Sequence, residues 1–399
     1  MAFEYTWHSI ISEKCDVYSF GMVLVDVPIE ENIDPNIKGN IAPECWRVFF
    51  YITHRCLKFE PDERQTMGEV ERTNPLRKRS QTVIEELCHR FSVAEIRKST
   101  NNFDEKRKIG REDFNDIYKG CLKLNGANDI FVRIKRLRKM FDQGVLEFKK
   151  EVELLCQLRH PNVVTLIGFC DHKDEKIIVY EYVANGSLYD HLYCSNMKME
   201  PLTWKQRLKI CVGVARGLHY LHTGAKRTIF HRDIKPSNIL LNNNMVPKLS
   251  NFELSLQGSH CTSKPKPTEV EVVAGTIGYI APENFQNKSF SDKSDVYSFG
   301  KLLLEMVCTE KRKIVERLRH PVERNIDPNL KGKIVPECWE VYMEMTQRCL
   351  EYDPNERPTM GEVEVQLEHA LSMQAEADDK KASGDYYSLL SFTIINPRK

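Results

Sequence analysis

The chain has 399 residues, enough for one two-lobed domain plus extra material, and 41% are hydrophobic, which suffices for an ordinary core. A formal net charge of +1 gives no reason to expect nucleic acid or a strongly charged surface partner. Thirteen cysteines without a C-x-x-C pair or a metal-type Cys/His spacing read as reduced thiols of a cytosolic protein, and with no secretory signal and no run near 18 apolar residues, neither export nor a membrane span is expected.

The front of the chain repeats a later part of it. SEKCDVYSFG at 12–21 recurs as SDKSDVYSFG at 291–300, and residues 32–70 recur as 325–363 with 25 of 39 positions identical. A core helix cut from its neighbours leaves its apolar face wet. Residues 1–70 are therefore at best a small helical appendage, and a relic of tandem duplication is the favoured reading. Residues 71–90 form a linker made basic by Arg72, Arg77, Lys78 and Arg79, with Pro75 breaking any helix and Ser80 a candidate phosphate acceptor. FSVAEIRKSTNNF at 91–103 predicts a short capped helix.

IGREDFNDIYKG at 109–120 holds Gly110, Ile117 and Gly120, with Glu112 and Asn115 between them. VRIK at 132–135 reads as a strand, and its period of two puts Arg133 and Lys135 on one face. EFKKEVELL at 147–155 carries Glu151 on a helical pattern, and IIVYEYV at 177–183 reads as a buried strand that ends near Glu181 and Val183. IFHRDIKPSNILL at 229–241 is a charged turn between apolar runs. It places Asp233 and Asn238 on one rim with Lys235 between them. A carboxylate there can accept a hydroxyl proton, an amide oxygen can bind Mg²⁺, and a lysine can steady a moving phosphoryl group. The string matches H-R-D-x-x-x-x-N in full.

KLSNFEL follows at 248–254. Residues 255–276 are rich in Ser, Thr, Lys and Pro and predict a mobile surface loop, with Ser259, Thr262, Ser263 and Thr268 as candidate acceptors and Arg232 as a candidate phosphate ligand. GTIGYIAPE at 275–283 precedes the helix bearing Asp295. Cys338 and Cys349 sit eleven apart on a helical pattern and read as core thiols.

Together these strings resemble the plant receptor-like kinase family, nearest its FERONIA-type, malectin-domain branch, over about residues 91–371. The Asp-Ile-Lys-Pro-Ser-Asn form is similar to the serine/threonine class. The resemblance implies an α+β, two-lobed protein kinase: a small antiparallel β lobe with one helix at 103–183 and a larger, mainly helical lobe at 184–370. Residues 1–70 then become a partial copy of the helical lobe, 71–102 a linker and 371–399 a disordered tail. It implies ATP and Mg²⁺ as cofactors. Asp233, Lys235 and Asn238 take the catalytic roles, and Lys135 holds the α/β-phosphates while pairing with Glu151. Gly110 and Ile117 belong to the glycine-rich stretch, and backbone groups near Glu181 and Val183 meet the adenine edge. It also implies that Asp295 braces the catalytic loop, that Arg357 pairs with Glu283, and that 275–283 is the peptide-docking loop.

The departures cluster. Glu112 and Asn115 replace two glycines that let backbone approach phosphates, and Glu112 adds negative charge there. Arg133 replaces a small alanine, either filling part of the adenine pocket or bending to solvent. Asn251 replaces the aspartate that is the main Mg²⁺ ligand, and Glu253 replaces a glycine. Mg²⁺ favours anionic oxygens. Losing one charge beside it costs about 3–5 kcal/mol of transition-state stabilisation, roughly 10²–10⁴ in rate. Glu253 would supply the lost carboxylate only if the backbone there stayed extended.

The expectation is a pseudokinase with degraded nucleotide and metal sites, acting as a binding or allosteric partner of other receptor-like kinases or signalling proteins. The rivals are a weak serine/threonine kinase using ATP and a non-functional duplicate. A cytoplasmic location is expected, peripheral to the plasma membrane only through partners, and without an ectodomain or span the chain is not expected to be a receptor by itself.

Overall fold

Alternation along 129–137 sorts side chains onto the two faces of a sheet. Val132 and Ile134 are fully buried in a core with Tyr118, Leu122, Cys170, Ile177 and Val179, while Arg133 and Lys135 alternate with them. Each such aliphatic side chain contributes about 1.5–3 kcal/mol on burial. The computed structural model describes residues 88–112, 115–123, 129–138, 142–193, 200–260, 267–270, 273–308 and 326–381. The repeat at 1–70, the linker to 87, Ser80, Thr262, Ser263, the Ser259 side chain and residues 382–399 lie outside what is described.

The sheet has six strands in the order β1-β5-β6-β4-β3-β2, comprising β1 (His89–Arg90), β2 (Lys108–Glu112), β3 (Asn115–Lys123), β4 (Asp129–Leu137), β5 (Leu166–His172) and β6 (Glu175–Glu181). All neighbours are antiparallel except β1, which runs parallel to β5. The contact is close: a Cβ on Gly168 would meet the His89 carbonyl oxygen at 2.1 Å. Helix α1 (Val93–Ser99) follows, with the expected cap. Ser92 Oγ accepts from the Glu95 amide at 3.2 Å and Glu95 Oε2 accepts from the Ser92 amide at 2.7 Å. Phe91 and Ile96 enter the same core. The stretch from 88 to 102, read from sequence as linker, thus packs as part of the small lobe. Two apolar residues that needed burial found it on the sheet. Helix α2 (Asp142–Leu155) carries Glu151.

The larger lobe is mainly helical, with α3 (Leu188–Tyr193), α4 (Trp204–His219), α5 (Pro282–Asn287), α6 (Asp292–Glu305), α7 (Pro336–Cys349) and α8 (Met360–Lys381). Every residue of α6 except Lys293 is buried. Cys338 and Cys349 are core thiols, and Trp204 Nε1 donates to Cys338 Sγ at 3.4 Å. Two expectations change. Helix α8 runs to Lys381, into the stretch read as a disordered tail, because Gln374 ties it down. Its Oε1 accepts from the Val335 amide and its Nε2 donates to the Lys333 carbonyl, both at 3.1 Å. The segment read as wholly mobile contains two short pairings. Strand β10 (Leu256–His260) lies antiparallel to β7 (Arg227–Phe230), and β11 (Thr268–Glu269) pairs with β12 (Ser289–Phe290). Backbone groups there are satisfied by a neighbouring strand rather than by water. Among the described residues no helix is long and apolar enough to cross a membrane.

Candidate functional site

The turn between β7 and β8 (Ile239–Leu241) is held from beneath. Asp295 on α6 is fully buried and accepts from the His231 amide at 2.8 Å, the Arg232 amide at 2.9 Å and His222 Nε2 at 3.0 Å. Arg232 takes a φ of 70°, which costs a non-glycine residue about 1 kcal/mol or more. The two amide bonds to Asp295 offset that strain, and Arg232 also donates to the Leu254 carbonyl at 3.2 Å. Arg357 pairs with Glu283, at the end of the 275–283 loop, at 2.7 Å.

The turn brings the three predicted catalytic residues together. Asn238 Nδ2 donates to Asp233 Oδ2 at 2.7 Å and Lys235 Nζ lies 2.8 Å from the same oxygen. Thr276 completes the group. It donates to Asp233 Oδ1 at 2.6 Å and accepts from Lys235 Nζ at 2.7 Å. No separate role for Thr276 follows from its place in GTIGYIAPE, because it reaches Asp233 only when the docking loop folds back over the turn. Burial would raise the Asp233 carboxyl, but Lys235 and the Thr276 hydroxyl outweigh it and hold the pKa below the usual range. An ionised, buried carboxylate beside a lysine is equipped to take a proton from a hydroxyl.

Above the turn, Lys135 Nζ lies 2.8 Å from Glu151 Oε2, both side chains being almost fully buried. Glu151 Oε1 accepts from the Tyr180 hydroxyl at 2.8 Å and the Phe252 amide at 3.1 Å. Lys135 has two further partners: Glu253 Oε1 at 2.8 Å and Asn251 Oδ1 at 3.3 Å. Desolvation works against its ammonium, yet Glu151 and the other negative groups hold its pKa well above the ordinary lysine value. Asn115 Nδ2 donates to the same Glu253 oxygen at 2.8 Å. Arg133 forms a close ion pair with Glu112.

Three sequence readings are thereby revised. Arg133 bends to neither bulk water nor an open pocket, since its side chain is only 11% exposed against Glu112. Glu112 is not an unpaired negative charge. Glu253 does enter the site, but onto the lysine. Asn251 sits at a φ of 64°, a left-handed conformation that asparagine accepts more readily than most residues, so the backbone turns rather than staying extended.

The remaining predicted residues divide. Ile117, 1% exposed, pairs with Lys135 across β3 and β4 and shares its face. Val183 is buried at the strand exit. Glu181 Oε1 meets Lys248 Nζ and the Thr165 amide, both at 2.8 Å, and its own amide donates to the Thr165 carbonyl at 3.0 Å. Gly110 is exposed on β2 and a Cβ there would touch nothing within 4 Å, so its freedom is not used.

The chemistry of this donor set is mixed. The Asp233 group suits phosphoryl transfer. For a metal, Asn238 and Asn251 offer neutral amide oxygens, and Asn251 Oδ1 already accepts from Lys135. For phosphates, Lys135 is ringed by three acceptors. As arranged, these residues do not fit a magnesium-bound triphosphate.

A family profile described as protein tyrosine and serine/threonine kinase matches residues 103–367. The chain is 44% identical over 310 residues to the receptor-like protein kinase ANXUR2 of Arabidopsis thaliana, covering 74% of this chain and 35% of that protein. It is 42% identical over 331 residues to the receptor-like protein kinase FERONIA of the same plant, covering 79% and 36%. It is 42% identical over 299 residues to the receptor-like protein kinase THESEUS 1, covering 71% and 34%. The chain thus spans about a third of the length of the curated relatives it matches.

Proposed function

Since this chain belongs to the protein tyrosine and serine/threonine kinase family, we propose that it is a receptor-like serine/threonine kinase homologue that has lost efficient phosphoryl transfer and works as a binding or allosteric partner in receptor-kinase signalling. The observation that carries this reading is the state of Lys135. The residue that would hold the α/β-phosphates is saturated by Glu151, Glu253 and Asn251. The metal corner beside it offers a neutral amide where Mg²⁺ favours a carboxylate. The ordered docking-loop contacts, Thr276 on Asp233 and Glu283 on Arg357, support retention of a protein-binding face. Its partners are then other receptor-like kinases or signalling proteins.

A second reading, a slow serine/threonine kinase, rests on the group of Asp233, Lys235, Asn238 and Thr276 alone. Thermal shift with ATP, with and without Mg²⁺, separates the two when paired with an autophosphorylation assay. The proposed function expects no Mg²⁺-dependent stabilisation and no phosphate incorporation. The double variant Asn251→Asp, Glu253→Gly is expected to recover part of the activity. Phosphate transfer by the unmodified chain at ordinary kinase speed would refute the proposal.

A further inference from the structure

We propose that Glu253 is a built-in occupant of the phosphate half of the cleft, and that its carboxylate on Lys135, more than the neutral Asn251, is what turns a nucleotide away; this deepens the function proposed above and rests on it. Glu253 Oε1 has two donors, Lys135 Nζ and Asn115 Nδ2, each at 2.8 Å. Both belong to the small lobe, on β4 and β3, whereas Glu253 follows β9 (Pro247–Leu249) beneath them. An anionic oxygen bridging a strand lysine and a donor from the strand above is the arrangement a phosphate oxygen would adopt. Here the chain supplies the anion itself.

The two substitutions are complementary. Asn115 gives Glu253 a donor that a glycine lacks, and Glu253 gives Asn115 an acceptor. The same holds for the other half of the cleft, where Arg133 on β4 is paired with Glu112 on β2. Each replacement considered alone is a loss. Together they form two internal pairs, one joining β3 and β4 to the segment after β9 and one joining β2 to β4. An arriving phosphate must displace a carboxylate from Lys135 and then sit beside its charge, whether or not a metal accompanies it. The bridge also ties the small lobe to the segment below without any ligand. Glu151 is already in place, bonded to Lys135, Tyr180 and the Phe252 amide.

The test uses the full chain and metal-free ADP in EDTA, which removes the Asn251 question from the readout. Glu253→Gly and Glu253→Gln are each expected to tighten ADP by about tenfold or more, as expected when one partly buried like charge is removed. Asn251→Asp alone is expected not to tighten metal-free ADP and to weaken it if anything, because it adds a second carboxylate beside Lys135. Without ligand, Glu253→Gly is expected to melt about 3–6 °C below the unmodified chain and to exchange amide hydrogens faster across Asp142–Leu155, with ADP restoring protection. Glu253→Gln keeps the side-chain volume and decides the matter if the glycine variant folds poorly. The proposal is overturned if neither Glu253 variant gains affinity. It is equally overturned if Asn251→Asp alone restores binding of Mg²⁺–ATP to the level of the double variant, since the missing metal charge is then the whole cause. Turnover by the unmodified chain counts against the proposed function only; the Glu253 comparison is then decided by its own variants in EDTA.

Discussion

Lys135 and Asp295 are the two residues whose surroundings decide most. Each is buried with its charge, and each survives burial through partners rather than solvent. Asp295 accepts from two backbone amides, and one belongs to a residue with left-handed backbone. Asp295→Ala is expected to destabilise the chain by about 3 kcal/mol, read as a fall in urea midpoint with an unchanged slope. Lys135→Met removes the counter-charge of the buried Glu151 and the partly buried Glu253 and is expected to cost about 3–5 kcal/mol. A much smaller loss would mean that neither carboxylate depends on the lysine. Asp233, Lys235 and Asn238 were readable as a group because they lie within six residues of one turn. Thr276 was not, because it lies 43 residues from Asp233 and meets it only through the docking loop.

Elements were legible where their signals are local. The capping box at Ser92 and Glu95 is complete within four residues, and the helix starts there. The sheet face bearing Lys135 follows from alternation over a single strand. What was missed at this scale needed a partner far along the chain. Strand β1 is only two residues long and has no pattern of its own; it exists because β5 offers an edge and Gly168 lets it approach. Gly168→Val is expected to detach β1 and cost at least about 2 kcal/mol, with faster hydrogen exchange confined to residues 88–99 and 166–172. The end of α8 is similar: Gln374 lies 39 residues from Val335 and 41 from Lys333.

The whole molecule gathers its ionisable groups so that acid weakens it. His231 is fully buried and desolvation holds its pKa below the usual histidine range. The unfolded chain takes up that proton near pH 6.5, so stability falls as pH drops through about that value. Asp233 is also held low, and what it contributes is complete above the unfolded value of about 3.9, then lost as pH falls through its folded pKa. Lys135 is raised instead, so its contribution is complete below about pH 10.4 and is lost only as pH rises through a still higher folded value. Melting temperature is therefore expected to fall between pH 7 and pH 5 and to be insensitive to these three groups between pH 7 and pH 9.

The amino-acid order by itself determined the two-lobed kinase architecture, the charged turn at 229–241 and the positions at which the nucleotide stretch departs from the kinase pattern it resembles. Those signals are short in sequence: a motif within one turn, a period along one strand, a cap within four residues. Only the tertiary structure decided what the departures do to one another. Glu253 meets Asn115 across 138 residues and Arg133 meets Glu112 across 21. Opposite charges, and an amide with a carboxylate, find each other through side-chain reach between segments, and no local pattern in the chain encodes that distance.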